Sequence, residues 1–356
     1  MSWPVLLPGV SAGVLGVALA QYPALGWVLM TACVLALLAA VVSSVHHAEL
    51  IAQRLGEPFG TLVLALAITV IEVALVLAVM LAGGSGSAAL PRDTIYAAVM
   101  IICNGVVGVC LLIGGIRHRE QSFRIEGTGA GLAALAALSG LVLVTPSLTT
   151  SSPGATYTNS QLVFVALSSL SLWLVFVFIQ TVRHRDYFLP EAALADESVH
   201  AEPPTRAQAW ISFGLLVVSL VTVVGLAKLM SPALERLVIQ LDAPKSAVGI
   251  VIAMIVLMPE TWAAMRAARA NRLQTSMNLA IGSALASIGL TIPIVVVAAV
   301  FLDLPLELGL VPKDMALLAL TFIVGSITLA SGRTNLMQGA VHLVLFAAFL
   351  FLTLVP

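Results

Sequence analysis

The feature that most constrains this chain is the recurrence of apolar runs about 20 residues long. A helix needs about 20 mainly apolar residues to cross a bilayer, and the sequence contains about eleven such runs. They lie near residues 5–21, 24–46, 60–82, 95–116, 128–147, 160–182, 208–230, 246–266, 276–302, 314–331 and 336–355. The sequence therefore predicts an all-α polytopic membrane protein with about eleven transmembrane helices.

Composition agrees with this class and excludes others. Of the 356 residues, 60% are hydrophobic and 9% are charged, whereas soluble domains carry about 25% charged residues. The net charge of −1 gives no basic surface for nucleic acid. Cys33, Cys103 and Cys110 all fall in apolar runs, so we expect neither a disulfide framework nor a metal cluster. The first apolar run lacks a basic start and is expected to stay as a helix.

The loops differ in their content of lysine and arginine. Eleven of the 16 basic residues follow the even-numbered runs, and five follow the odd-numbered ones. Because basic loops tend to stay in the cytoplasm, this predicts a cytoplasmic N-terminus and a C-terminus outside. An odd number of spans also puts the two ends on opposite sides, so the two inferences agree.

Two acidic residues lie inside or beside apolar runs of membrane-spanning length. Glu72 sits near the middle of residues 60–82, and Glu260 follows Pro259 in the run at 246–266. A charge at the bilayer centre costs about 2.5–3.5 kcal/mol on insertion scales, so such residues usually have a function. Neither span centre contains a lysine or arginine that would form a structural ion pair. We therefore predict that both carboxylates bind ions.

The positions of these acids indicate an internal repeat. If residues 1–22 form one extra N-terminal helix, five spans lie in residues 23–182 and five in residues 207–356, joined by a cytoplasmic linker at 183–206. Each acid then lies on the second span of its five. Because five is odd, the two halves would insert in opposite directions, as in many secondary transporters. Pro259 is expected to break or bend its helix and to free carbonyl oxygens for a cavity.

Polar residues accompany the acids in both halves. The first half has Thr69 and Asn104, and the second has a four-residue spacing that places three hydroxyls on one helix face: Ser283, Ser287 and Thr291. We consider these five residues as candidate ligands for a cation or proton. Ordinary packing between helices through small and polar residues is the alternative explanation.

Three stretches of the chain resemble the cation/proton exchanger branch of the calcium/cation antiporter superfamily. They are residues 46–76, with the string HHAELIAQRLGEPFGTLVLALAITVIEVALV, residues 92–121 and residues 258–293. The resemblance implies that Glu72 and Glu260 bind the cation and exchange it for protons. It also implies a bacterial inner-membrane protein that transports ions and needs no cofactor.

This sequence departs from the motif of that family at several positions. Family members carry Gly-Asn-x-x-Glu in each repeat, but Ile68–Thr69 and Val256–Leu257 stand at the Gly-Asn positions here. In the span that follows, Gly282–Ser283 is kept in the second half, whereas Val99–Met100 replaces the pair in the first. Since Ca²⁺ takes six to eight oxygen ligands, this loss of oxygens makes Na⁺ or K⁺ a credible substrate.

The sequence as a whole predicts a secondary active antiporter that exports Ca²⁺, Na⁺ or K⁺ in exchange for H⁺ by alternating access. Its expected partners are inorganic cations, protons and the lipid bilayer, and a homo-oligomer is compatible with the sequence. A cation-selective channel and a monovalent-only Na⁺(K⁺)/H⁺ antiporter stay open as alternatives. An enzyme is not expected, because the spans contain no Ser/His pair, Asp pair or His-Glu-x-x-His motif.

Overall fold

The computed structural model describes residues 3–22, 26–55, 59–82, 87–188, 204–240, 244 and 246–355, and almost all of them are helical. The α-helices are α1 (Trp3–Gln21), α2 (Trp27–Leu55), α3 (Phe59–Ala82), α4 (Leu90–Met100), α5 (Val107–His118), α6 (Ile125–Ser139), α7 (Asn159–Phe178), α8 (Arg206–Gln240), α9 (Ser246–Arg269), α10 (Leu273–Phe301), α11 (Pro312–Ala330) and α12 (Leu336–Leu354). Two short strands, β1 (Gln121–Ser122) and β2 (Arg333–Thr334), complete the regular structure together with short π and 3₁₀ turns.

The prediction of an eleven-span helical membrane protein is confirmed. A π-helical turn at Ile101–Val106 joins α4 to α5, so that Leu90–His118 is one continuous helical span. With that span counted once, the described residues form eleven long helices, one for each predicted run. Nine of them are long and apolar enough to cross a membrane, and shorter apolar stretches lie in α1 and α3.

Two helices extend well beyond the apolar runs that predicted them. α2 continues from the predicted end near residue 46 to Leu55, and α8 continues from near residue 230 to Gln240. The added turns contain Ala, Leu, Glu, Gln and Arg, all good helix formers. Hydropathy marks where a helix leaves the apolar layer, but the backbone hydrogen bonds need no apolar surroundings to continue.

The helix break expected at Pro259 is wrong. α9 runs without interruption from Ser246 to Arg269 with the proline inside it. A proline removes one backbone donor and crowds the carbonyl four residues before it, but the bonds on either side maintain the helix here. The Thr261 hydroxyl additionally donates to the Leu257 carbonyl at 2.7 Å. The irregular backbone lies elsewhere, in the π turn Ile101–Val106 and in further π turns after α6 and α7.

The chain divides into two compact units, and the first is formed by residues 1–87 and 200–248. Within it, α8 packs against α1, α2 and α3. Gly225 allows α8 to approach α1 closely, because a Cβ there would lie 2.7 Å from Leu15 Cδ2. The unit combines helices from both predicted repeats, since α2 and α3 belong to the first and α8 to the second.

The second unit is formed by residues 88–199 and 249–356, and α10 packs on several of its helices. Close contacts depend on glycine: a Cβ at Gly289 would lie 2.5 Å from Trp173 on α7, and one at Gly131 would lie 2.7 Å from Ile281 on α10. β1 pairs antiparallel with β2 and links the connection after α5 to the connection after α11. Small residues therefore set the helix spacing in this unit, as is common in membrane proteins.

The start of the predicted linker at 183–206 is folded onto the second unit. Phe188 is buried and makes an edge-to-face contact with Phe176, with ring centroids 5.8 Å apart. The Asn278 amide of α10 donates to the Phe188 carbonyl at 2.5 Å. An apolar ring therefore anchors this end of the expected linker, and residues 189–203 lie outside the described part of the chain.

Candidate cation site

A hydrogen bond joins two of the predicted site residues in the second unit. The Ser283 hydroxyl of α10 donates to Oε1 of Glu260 on α9 at 3.0 Å. Both side chains are half-buried within helices of membrane-spanning length. A neutral hydroxyl stabilises a carboxylate without cancelling its charge, so this pair leaves Glu260 able to attract a cation or a proton.

A small cavity surrounds this pair. Its walls come from α9, α10 and the π turn, with lining residues Ile102, Val106, Leu257, Glu260, Thr261, Ala280 and Ser283. The space is about that of one water molecule, which is also suitable for one small dehydrated ion. Most of the walls are apolar, so the oxygen atoms of Glu260, Thr261 and Ser283 supply the polarity among these side chains.

The other two hydroxyls of the α10 series lie on the same face but do not line this cavity. Ser287 is 3% exposed and Thr291 is fully buried. Thr291 Oγ1 has no hydrogen-bond partner within the described residues. The four-residue spacing from Ser283 therefore continues as a polar stripe inside the unit, and ligand roles for Ser287 and Thr291 remain predictions.

Asn104 lies in the π turn, and other side chains of this turn face the cavity. Ile102 and Val106 line the cavity, whereas the Asn104 amide bonds to helices α11 and α12. Its Nδ2 donates to Thr321 Oγ1 at 2.9 Å, and its Oδ1 lies 3.3 Å from His342 Nδ1. Asn104 is fully buried, and its role as a cation ligand remains a prediction.

Glu72 and Thr69 are placed in the first unit, on α3. They are 4% and 3% exposed, respectively. Their spacing is i, i+3, so they lie on neighbouring turns of one helix face. This arrangement could supply a carboxylate and a hydroxyl to one ion. That Glu72 meets Glu260, which belongs to the second unit, remains a prediction.

Sequence reasoning missed His342, which the structure places beside Asn104. This histidine is 1% exposed in the apolar helix α12, and its Nε2 lies 3.0 Å from Thr328 Oγ1. The signal was present, since an ionisable residue within an apolar run was the criterion that selected Glu72. The contact to Asn104 spans 238 residues of sequence, which no local pattern reveals.

These observations define the class of protein: a polytopic helical membrane protein with a carboxylate-lined, ion-sized cavity inside its spans. Comparison with known families agrees with that class. The sequence matches the family described as sodium/calcium exchanger protein over residues 23–182 and 211–355. The chain belongs to this family, and the resemblance noted from its motifs is confirmed.

Individual relatives share most of their length with this chain. It is 47% identical over 317 residues to y4hA of Sinorhizobium fredii, named as an ionic transporter, covering 89% of this chain and 86% of the relative. It is 36% identical over 317 residues to ChaA of Escherichia coli, a sodium-potassium/proton antiporter, covering 88% and 85%. The crystal structure of the H⁺/Ca²⁺ exchanger CAX superposes with a TM-score of 0.70 at 15% identity, covering 98% and 87%. At that identity the likeness shows a shared fold.

Proposed function

We propose that this protein is a secondary cation/proton antiporter rather than an enzyme. The observation that carries the proposal is the Glu260–Ser283 pair, placed in an ion-sized cavity inside membrane-length helices. The family supports it, as do the sodium-potassium/proton antiporter ChaA and the H⁺/Ca²⁺ exchanger CAX, which are both proton-coupled cation exchangers. No resident cofactor is needed for this chemistry, because the ions are the cargo.

Cation transport is coupled to proton transport because the cation and the proton compete for one carboxylate. Burying a charge in a largely apolar cavity is costly, and a cation or a proton bound to Glu260 lowers that cost. Binding of the cation displaces the proton, and return of the proton displaces the cation. Ser283 donates to the carboxylate while it is charged and can turn its oxygen toward a bound cation.

Glu72 and Thr69 would provide the second half of the site. The family match falls into two stretches, residues 23–182 and 211–355, which supports a repeat with one acid in each half. Two oppositely inserted halves would bring Glu72 and Glu260 to one binding place, with Ser287 and Thr291 as further oxygen donors. Rocking of one group of helices against the rest would open the site to each side in turn.

A monovalent cation is the second candidate substrate, and Leu257 favours it. The resemblance places an asparagine of the family motif at this position, but here an apolar side chain lines the cavity. Ca²⁺ needs six to eight oxygens, and the cavity side chains provide few. The small number of oxygens in the cavity walls therefore favours exchange of Na⁺ or K⁺ for H⁺. Ca²⁺ would need further oxygens from Glu72 and the backbone.

The orientation in a bacterial inner membrane belongs to the same proposal. The distribution of Lys and Arg supports a cytoplasmic N-terminus and an external C-terminus. Fusing alkaline phosphatase or green fluorescent protein after the last helix tests it, because the first is active only outside and the second fluoresces well in the cytoplasm. A homo-oligomer would be detected by light scattering of the purified protein.

Proton movement in proteoliposomes tests the function. We expect wild-type protein to release protons when Na⁺, K⁺ or Ca²⁺ is added on one side, even when the membrane potential is clamped. Glu260→Gln and Glu72→Gln should abolish the exchange, whereas Glu126→Gln, which changes an exposed glutamate at the start of α6, should not. Cation flux without coupled proton movement would establish a channel, and full exchange in either glutamine variant would refute the proposed site.

A further inference from the structure

A continuous set of buried hydrogen bonds connects α12 to the π turn beside the cavity. Asn104 Nδ2 donates to Thr321 Oγ1 at 2.9 Å, and the Thr321 hydroxyl donates to the Leu317 carbonyl at 2.8 Å. Because the amide nitrogen is thus used as a donor, Asn104 Oδ1 is left to accept. His342 Nδ1, at 3.3 Å, is the donor that faces it.

The other ring nitrogen of His342 is also satisfied. Nε2 lies 3.0 Å from Thr328 Oγ1, which can donate to it. A neutral ring with its proton on Nδ1 satisfies both contacts, with Thr328 of α11 donating to Nε2 and Nδ1 donating to Asn104. The Cys103 backbone, in the same π turn, also bonds to the ring. His342, Asn104, Thr321 and Thr328 are each at most 3% exposed, so water does not compete for these bonds.

The close packing of α5 and the π turn against α12 brings His342 within hydrogen-bonding distance of Asn104. A Cβ added at Gly108 would lie 3.1 Å from His342 Cβ and 3.0 Å from Leu343 Cγ, and one at Gly105 would lie 3.3 Å from the Phe346 ring. Glycine at these two positions therefore allows α12 to approach the π turn. A larger residue would hold the imidazole farther from Asn104.

We propose that His342 is a positioning residue for ion exchange. Through its bond to Asn104 it fixes the π turn Ile101–Val106, and two side chains of that turn, Ile102 and Val106, form a wall of the cavity that holds Glu260 and Ser283. The inference rests on the proposed antiport function and adds to it a residue that touches neither cation nor transported proton. Its role is to hold the shape of the cavity.

Transport kinetics in proteoliposomes test this role. His342→Leu removes the donor and should raise the KM for the cation about five- to tenfold, with a maximal rate within about twofold of wild type. His342→Gln keeps a donor at similar reach and should restore most of the affinity, whereas the shorter His342→Asn should not. Thr353→Val removes another buried hydroxyl of α12, which among the described residues bonds only to the Phe349 carbonyl of its own helix, and should leave the KM unchanged.

A double variant separates positioning from a general contribution to stability. If His342 acts through Asn104, then adding His342→Leu to Asn104→Ala should change the KM less than it does in the wild-type background. Equal KM effects in the two backgrounds, or a wild-type KM in both His342→Leu and His342→Asn, would overturn the inference. If His342→Leu fails to fold, the KM values of His342→Gln and His342→Asn test the inference, and equal values in these two variants would overturn it.

The same experiment distinguishes failure of this inference from failure of the proposed function. Wild-type protein that exchanges cations while the His342 variants match it would overturn the inference alone. Wild-type protein that moves no protons with any of the three cations would overturn the proposed function and this inference with it. Thermal unfolding of each variant in detergent verifies that the kinetic comparison is made on folded protein.

Discussion

The hydroxyl of Ser283 donates to the carboxylate of Glu260 at 3.0 Å, from α10 to α9. This bond predicts the result of Ser283→Ala. We expect the KM for the cation to rise about three- to tenfold, because a net hydrogen bond to a charged group is worth about 1.5–3 kcal/mol and water can replace part of it. Exchange itself should persist because Glu260 remains.

Proteoliposome kinetics measure the change, and Ser326→Ala is the matched control. Ser326 is exposed on α11, and within the described part of the chain its hydroxyl bonds only to the Phe322 carbonyl of the same helix. An unchanged KM in Ser283→Ala would show that the hydroxyl does not contribute to ion binding.

Leu257→Asn should shift the cation preference toward Ca²⁺. The side chain lines the cavity, so an amide oxygen there would add one ligand for a cation that prefers many. We expect the KM for Ca²⁺ to fall relative to that for Na⁺ by about tenfold at most. The neighbouring Val256 is equally buried but does not line the cavity, so Val256→Asn should reduce stability without changing the ratio of the two KM values. A constant ratio in both variants would argue against Leu257 as a selectivity residue.

Gly339→Ala should destabilise the second unit. A Cβ at this position would lie 2.5 Å from the Leu112 nitrogen and 3.0 Å from the Gly108 carbonyl oxygen, so α12 and α5 would have to separate. We expect a loss of about 1–3 kcal/mol, seen as a lower unfolding temperature in detergent. The exposed Gly214 of α8 has no atom near its potential Cβ, so Gly214→Ala should be neutral or stabilising. Equal unfolding temperatures for the two variants would contradict the close packing described.

Arg92→Ala should cost more stability than Glu307→Ala. Arg92 Nε donates to Asp93 at 2.8 Å, and Nη1 donates to Glu307 at 2.5 Å and to the Gly309 carbonyl at 3.1 Å. The Asp93 side chain is 12% exposed, whereas that of Glu307 is 41% exposed. Loss of the arginine therefore leaves a nearly buried carboxylate without its cation, at a cost of about 1–3 kcal/mol, but loss of Glu307 breaks a partly solvated pair. Thermal unfolding of the two variants measures the difference, and the reverse order would refute it.

Hydropathy predicted every long helix because the bilayer imposes a minimum apolar length on each span. The predicted start of the last helix at 336 and the end of the third at 82 coincide with α12 and α3. Hydropathy does not predict where α2 and α8 end, because both helices extend past the apolar layer. Helix propensity and tertiary packing decide where those helices stop.

The candidate site was predicted in part. The contact of Glu260 with Ser283 joins two residues that the sequence had singled out separately, the first by the cost of a charge in a membrane and the second by spacing. The π turn and the partners of Asn104 were not predicted, because they depend on close approach of α11 and α12 to a distant part of the chain. The continuation of α9 through Pro259 likewise depends on bonds that flank the proline.

The pairing of β1 with β2 has a consequence for the timing of synthesis. Gln121 and Ser122 are paired with Thr334 and Arg333, so the ribosome must add about 210 more residues before the second strand exists. At about 5–20 residues per second, the first strand waits about 10–40 s for its partner. A chain that stalls before β2 therefore lacks this strand pair, which joins the connection after α5 to the connection after α11.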